Sequence, residues 1–176
     1  LDVSRAEGVS ALAQATDERF GVPHFVFNNA GIATGGLIWE HSLKDWEWAL
    51  GVNLMGVVHG VREFTPRMLA AAKADPSYEG HIVNTASMGG LISGPPEGLY
   101  TTTKFAVVGL SEALVMEVAE KGVGVSVLCP GLVNTNLIKQ SLAVRPDALD
   151  SGIDHQQPAP DVASGISPLV VGEQVI

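Results

Sequence analysis

Apolar residues recur at helical spacing between Arg5 and Phe20, where Val9, Leu12, Ala13 and Phe20 stand among polar neighbours, and that period predicts an amphipathic helix. Gly21-Val22-Pro23 ends it. His24-Phe25-Val26-Phe27 is a near-continuous apolar run bounded by Pro23 and the turn-prone Asn28-Asn29-Ala30-Gly31, as expected of a short strand buried on both faces. After a loop holding Gly31, Gly35 and Gly36, the helical period returns from Leu43 to Leu69, with Ser42 as N-cap, Asp45 in the first turn and a break near Gly51 or Asn53. Ala70 to Gly80, with Asp75-Pro76-Ser77, reads as a loop, and His81-Ile82-Val83-Asn84-Thr85 as a second strand. Tyr100 to Lys121 is helical and apolar on most of its circumference, with Gly122 as C-cap. Gly124 to Cys129 is a third strand ending at Pro130-Gly131. The stretch from Ser141 to Ser167, rich in Pro, Asp, Ser and Gln, predicts a mobile loop over 141–160 and a last helix from about Pro160-Asp161 that is still running at Val175-Ile176.

Helices and strands that alternate in this way build βαβ crossovers, hence an α/β fold with a parallel sheet in a single domain over 1–176. Ligands of such sheets sit beyond the carboxyl ends of the strands.

Composition narrows the function without naming it. With 176 residues, 46% of them hydrophobic, the chain can bury a sizeable core. A net charge of -9 argues against nucleic acid or an anionic membrane surface as partner, since both require clustered Lys and Arg. The longest apolar run, Gly122 to Val133, is broken by Gly124 and Pro130 and is too short to span a bilayer. The single cysteine, Cys129, reads as a small buried apolar residue that suits a reducing, cytoplasmic setting. His24, His41, His59, His81 and His155 form no HxH or HxxxH pair, so no metal site is expected. Trp39, Trp46 and Trp48 read as packing residues, with Trp39 a candidate border of the substrate site.

Candidate chemistry begins with Tyr100 and Lys104, four apart at the start of a helix and therefore on one face. An ammonium near a phenol stabilises the phenolate, so Lys104 is expected to draw the Tyr100 pKa down toward useful acid/base range. Ser87 follows the second strand, at the end where ligands bind. Asn53 interrupts a helix, in which asparagine is a poor former, and Gly31 closes the first strand with room for close backbone approach. Blander roles exist for each: a turn for Asn28 and Asn29, a short-turn cap for Ser87, a helix kink for Asn53, and an N-cap before Asn136 to Gln140 for Thr135.

Taken together, Asn28-Asn29-Ala30-Gly31, the ordered set Asn53, Ser87, Tyr100 and Lys104, and Pro130-Gly131 with Val133 and Thr135 resemble the short-chain dehydrogenase/reductase family from Asp2-Val3 to about Ile138. The resemblance implies a Rossmann-like, three-layer αβα fold and an NAD- or NADP-dependent oxidoreductase that interconverts a secondary alcohol and a ketone. In that reading Tyr100 is the general acid/base and Ser87 bonds the reacting oxygen. Lys104 tunes Tyr100 and holds the nicotinamide ribose, and Asn53 positions a water that relays protons. Asp2 and Val3 would contact adenine, Asn28, Ala30 and Gly31 would run beside the cofactor, and Val133 and Thr135 would reach the carboxamide. The apolar helix from Tyr100 to Lys121, with Phe105, Val108, Leu114 and Val118, would join a homodimer or homotetramer. Shared Tyr and Lys chemistry leaves an epimerase or dehydratase open, and a non-catalytic nucleotide sensor would have no need of all four residues.

One element of the family's pattern, the TGxxxGxG turn with its strand and helix, does not occur in these residues. With the start at Leu1 and the abrupt end at Val175-Ile176, this gives the expectation of an internal piece of a longer enzyme, inactive by itself.

Overall fold

The computed structural model describes residues 1–146, 149 and 164–173. Three parallel strands, β1 (Phe25–Asn28), β2 (Gly80–Thr85) and β3 (Val123–Leu128), form a sheet in the order β1-β2-β3. Val26 pairs with Ile82 and Ile82 with Val125, so these side chains point to one face together. Helices α1 (Ala6–Phe20), α3 (Gly56–Ala74) and α4 (Gly98–Val118) cover that face. Ala13, Phe64, Met68, Leu114 and Val118 pack there against Val26, Ile82 and Val123 as the main core. The parallel sheet with flanking helices is the Rossmann-like arrangement expected. On the other face Phe25 and Phe27 are exposed, so β1 is buried on one face and not on both as its apolar run suggested, because the described helices α1, α3 and α4 all pack on the Val26 side; Phe25 stacks on His81, whose Nε2 bonds the Ser126 hydroxyl at 2.8 Å.

The strands begin and end within a residue of expectation, because Pro and Gly bound their apolar runs. Three helix boundaries differ. The chain from Ala70 onward stays helical to Ala74, since four of those five residues are alanine, and ends only where Asp75 accepts the Ser77 amide and hydroxyl before β2. Helix α4 spans Gly98 to Val118, so Gly122 is not its C-cap; Glu120 and Gly122 both take positive φ in the turn that follows. Ser141, placed in a loop by its composition, lies instead in α5 (Leu137–Ala143) and is buried. The helix expected from Pro160-Asp161 and its continuation at Val175-Ile176 lie outside the described residues, within which α6 is Pro168–Glu173. A parallel bridge between Val133 and Ile166 returns the chain beside β3 and sets α6 there.

The break between α2 (Leu43–Leu50) and α3 is a π-helical turn, Gly51–Met55, with Asn53 fully buried inside it. Ser42 and Asp45 cap α2 reciprocally, each side chain bonding the other's backbone amide. Polar groups also cross the core. Asn28 donates to Asn84 at 2.8 Å, Asn84 to Ser111 at 3.0 Å, and Ser111 to the Val107 carbonyl at 2.7 Å. This chain satisfies two asparagines in positions where strands favour β-branched residues, and it ties β1, β2 and α4 in register. Gly60 is where α3 crosses Asn28 so closely that a Cβ would overlap the Asn28 amide oxygen.

Candidate active site

The carboxyl ends of all three strands open on a cavity of about 630 Å³. Its floor is Ala30, Gly31 and Ile32 after β1, then Thr85, Ala86 and Ser87 after β2, then Leu128, Pro130 and Gly131 after β3. Tyr100 and Lys104 enter from the first turns of α4, and α5 and α6 close the remaining sides with Leu137, Gln140, Pro168 and Val171.

Each polar group has a local reason to be where it is. Sheet bonding continues past the strands, from the Ala86 amide to the Leu128 carbonyl and from the Met88 amide to the Pro130 carbonyl, both at 2.8 Å, and so holds Ser87 between them. The Ser87 hydroxyl accepts the Gly89 amide at 3.1 Å, capping the 3₁₀ turn Met88–Gly90. Lys104, 4% exposed, donates to the Thr85 carbonyl at 2.9 Å, with Nζ 5.7 Å from the centre of the Tyr100 ring. A Cβ on Gly31 would stand 3.4 Å from Asn53 Oδ1 and 3.5 Å from Lys104 Nζ, which measures how tightly these three positions converge.

Asn53 sits one layer behind the cavity wall. Its Oδ1 accepts the Ile32 amide at 2.8 Å, and its Nδ2 donates to the Ile32 carbonyl and to Thr103 Oγ1, each at 3.0 Å. Thr103 passes the connection on to the Tyr100 carbonyl at 2.7 Å. The amide is therefore fully used in fastening the chain after β1 to α4, a role beyond a mere kink.

The electrostatics differ from expectation at Tyr100. Burial raises the phenol pKa, the hydrogen bond with Ser87 opposes that, and the Glu97 charge adds to the rise. The rise set by burial runs against the lowering expected from Lys104, whose ammonium donates to the Thr85 carbonyl and whose own pKa burial lowers to about 8.

Ala30, Gly31, Ser87, Tyr100, Lys104, Val133 and Thr135 all line this cavity, as do Asn29, which belongs to the same motif, and Gln140, to which sequence reasoning gave no site role. Thr135 also accepts the Leu137 amide at 3.3 Å, a local i,i+2 bond; it is not the helix cap considered for it, since Asn136 is the N-cap of α5. Val3 and Asn28 instead border a second cavity of about 330 Å³ that shares Asn29 and Ala30 with the first. Asp2 lies at the surface, its carboxylate bonded to the Ser4 amide and hydroxyl ahead of α1. Trp46 and Trp48 pack around Ile32, Ala49 and Leu99, whereas Trp39 is exposed and is not part of the cavity wall. The α6 residues carry no sequence signal of their own; the bridge at Ile166 brings them in.

Comparison with known proteins gives the same picture. The sequence model of short chain dehydrogenases matches residues 1–145. The chain is 41% identical over 143 residues to the oxidoreductase SadH of Mycobacterium tuberculosis, covering 80% of this chain and 50% of that protein. A short chain dehydrogenase/reductase from Burkholderia phymatum, solved in complex with NAD, superposes with a TM-score of 0.77 at 44% identity over 98% of this chain and 57% of that one. A gluconate 5-dehydrogenase from Burkholderia cenocepacia, in complex with NADP and tartrate, gives a TM-score of 0.72 at 27% identity over 85% and 55%. The chain thus spans about half the length of the relatives it matches. On the strength of these matches and of the residues gathered at the sheet's carboxyl edge, the chain belongs to the short-chain dehydrogenase/reductase family.

Proposed function

We propose that this chain carries the catalytic half of an NAD- or NADP-dependent oxidoreductase that interconverts a secondary alcohol and a ketone. The observation that supports it most is the convergence of Ser87, Tyr100 and Lys104 on one cavity at the carboxyl end of a parallel sheet. The wall fits the nicotinamide-ribose portion of a dinucleotide: apolar surface from Ile32, Ala86 and Val133 suits a flat ring, and Lys104 offers a donor for ribose hydroxyls. Bound there, the nicotinamide supplies or accepts the hydride.

The remaining chemistry falls to side chains of this protein. Ser87 donates a hydrogen bond to the substrate oxygen and fixes its carbonyl or alcohol carbon at the wall. Tyr100, whose phenol burial favours in the protonated form, gives its proton to the carbonyl oxygen on reduction and is left as phenolate; on oxidation the phenolate takes the alcohol proton. Asn53 and Thr103 hold α4 against the chain after β1 and so keep Tyr100 at its distance from Gly31. The substrate itself lies between these groups and α5.

The experiment is to supply the intact protein with NAD or NADP and a panel of secondary alcohols, 2-octanol and 1-phenylethanol among them, and to follow absorbance of the reduced nicotinamide. Net reduced cofactor with stoichiometric ketone is expected. Product formation without net cofactor reduction would replace this reading with epimerisation or dehydration.

A homodimer or homotetramer is part of the proposal. Leu114 and Val118 of α4 are used up in the core, but Phe105, Gly109, Ala113 and Met116 make an exposed stripe along its outer side. Light scattering on the intact protein should return a multiple of the chain mass at micromolar concentration; a monomer there refutes it.

A further inference from the structure

Helix α5 contributes Leu137 and Gln140 to the cavity wall; Ser141 fastens it to the segment after β1, and Arg145, two residues past its end, fastens it to α2. Within the helix, the buried Ser141 hydroxyl accepts the Ala33 amide at 2.8 Å while donating to the Leu137 carbonyl at 2.7 Å. Just beyond it, Arg145 Nη2 donates to Asp45 Oδ1 at 2.7 Å and to the Leu149 carbonyl at 2.5 Å. Asp45 is 1% exposed and divides its carboxylate between two tasks: Oδ2 caps α2 through the Ser42 amide and hydroxyl, and Oδ1 faces Arg145. A capping carboxylate has no need of burial to this degree, nor of a guanidinium from the far side of the chain. Once buried, it must keep both partners, because an ion left unpaired out of water is costly.

We propose that Asp45, Arg145 and Ser141 are positioning residues for the reaction described under Proposed function, on which this inference rests: they lock α5 onto α2 and the chain after β1, and the place of Leu137 and Gln140, hence substrate fit, follows from that lock. The residues touch neither substrate nor cofactor. Their effect is on the shape of one wall, so it falls on substrate affinity more than on the proton-transfer group at Tyr100.

The test pairs hydrogen exchange with kinetics on the intact protein. In Arg145→Met and Asp45→Asn the amides of residues 137–143 should exchange about tenfold faster than in the parent, with KM for 1-phenylethanol up about tenfold and kcat within about twofold. Ser42→Ala, which removes the cap but leaves the ion pair, should not loosen α5; Arg145→Lys should restore part of the protection. Ser141→Ala loosens the same amides independently and serves should the charge variants fail to fold. Unchanged exchange in Arg145→Met, or equal loosening by Ser42→Ala, overturns the lock. The exchange readout needs no substrate, so a loosened α5 in a protein that oxidises no alcohol would sustain the lock while removing the dehydrogenase reading. Unaltered exchange in an active dehydrogenase would do the reverse.

Discussion

Replacing Tyr100 by Phe should lower turnover by about 10²- to 10⁴-fold, the usual worth of a positioned acid/base group, while cofactor affinity stays within about twofold. The ring persists, so the packing of Gly89 against its edge and the position of α4 are kept. What disappears is the hydroxyl that burial favours in the protonated form. No other phenol lines the cavity wall. Steady-state absorbance of the reduced nicotinamide and calorimetric titration of the cofactor separate the two quantities. An undiminished kcat would sink the assignment of Tyr100.

Lys104→Met should be equally damaging to turnover and yet leave the protein at least as stable at pH 7. The ammonium is buried, and its pKa is lowered from 10.5 to about 8. Between those two values the unfolded chain binds more protons than the folded one, so stability rises with pH across the window. Below it both states carry the charge, and burial costs the folded state about 3 kcal/mol before relaxation. Methionine removes that cost and gives up the bond to the Thr85 carbonyl. Urea unfolding of both proteins at pH 7, 8.5 and 10 should show the parent gaining on the variant as pH rises. Parallel curves would mean that the ammonium is solvated and the low pKa wrong. Opposite effects on activity and stability are what a group retained for function produces.

The strands were legible because Pro23, Asn28 and Pro130 punctuate short apolar runs, whereas the open face of β1 was not, since its exposed Phe25 and Phe27 read in sequence like core residues. The Tyr100 and Lys104 pair was legible for the same local reason: helix geometry alone puts residues four apart on one face. What was hidden is what depends on distance in sequence. Asn53 announces itself as an intrusion in a helix, but nothing nearby tells that Ile32 and Thr103 take up its amide. The direction of the Tyr100 shift turned on burial, a property of the assembled fold, rather than on the neighbour four residues away. Asp2 shows the opposite case: its partners are Ser4 and Arg5, and a purely local turn satisfies its carboxylate. Asp45 read correctly as a cap, and its second oxygen, aimed at Arg145, has no local signature.

The π turn at Gly51–Met55 has a meaning in angles as well as in bonds. Its closing bond runs from the Gly56 amide to the Gly51 carbonyl, five residues back, so it holds one residue more than an α-helix would there. Each residue of an α-helix advances the side chains by about 100°. The turn is a phase correction: α2 reaches Asp45 and Ala49 inward, α3 reaches Val57, Gly60 and Phe64 inward, and an unbroken α-helical ladder cannot aim both sets at once. Removing a single residue here would rotate everything before it by roughly a quarter turn. Asp45 and Asn53 could not then both remain in register with the partners they hold. The conformation of five residues thus sets the bearing of the two helices on either side of it.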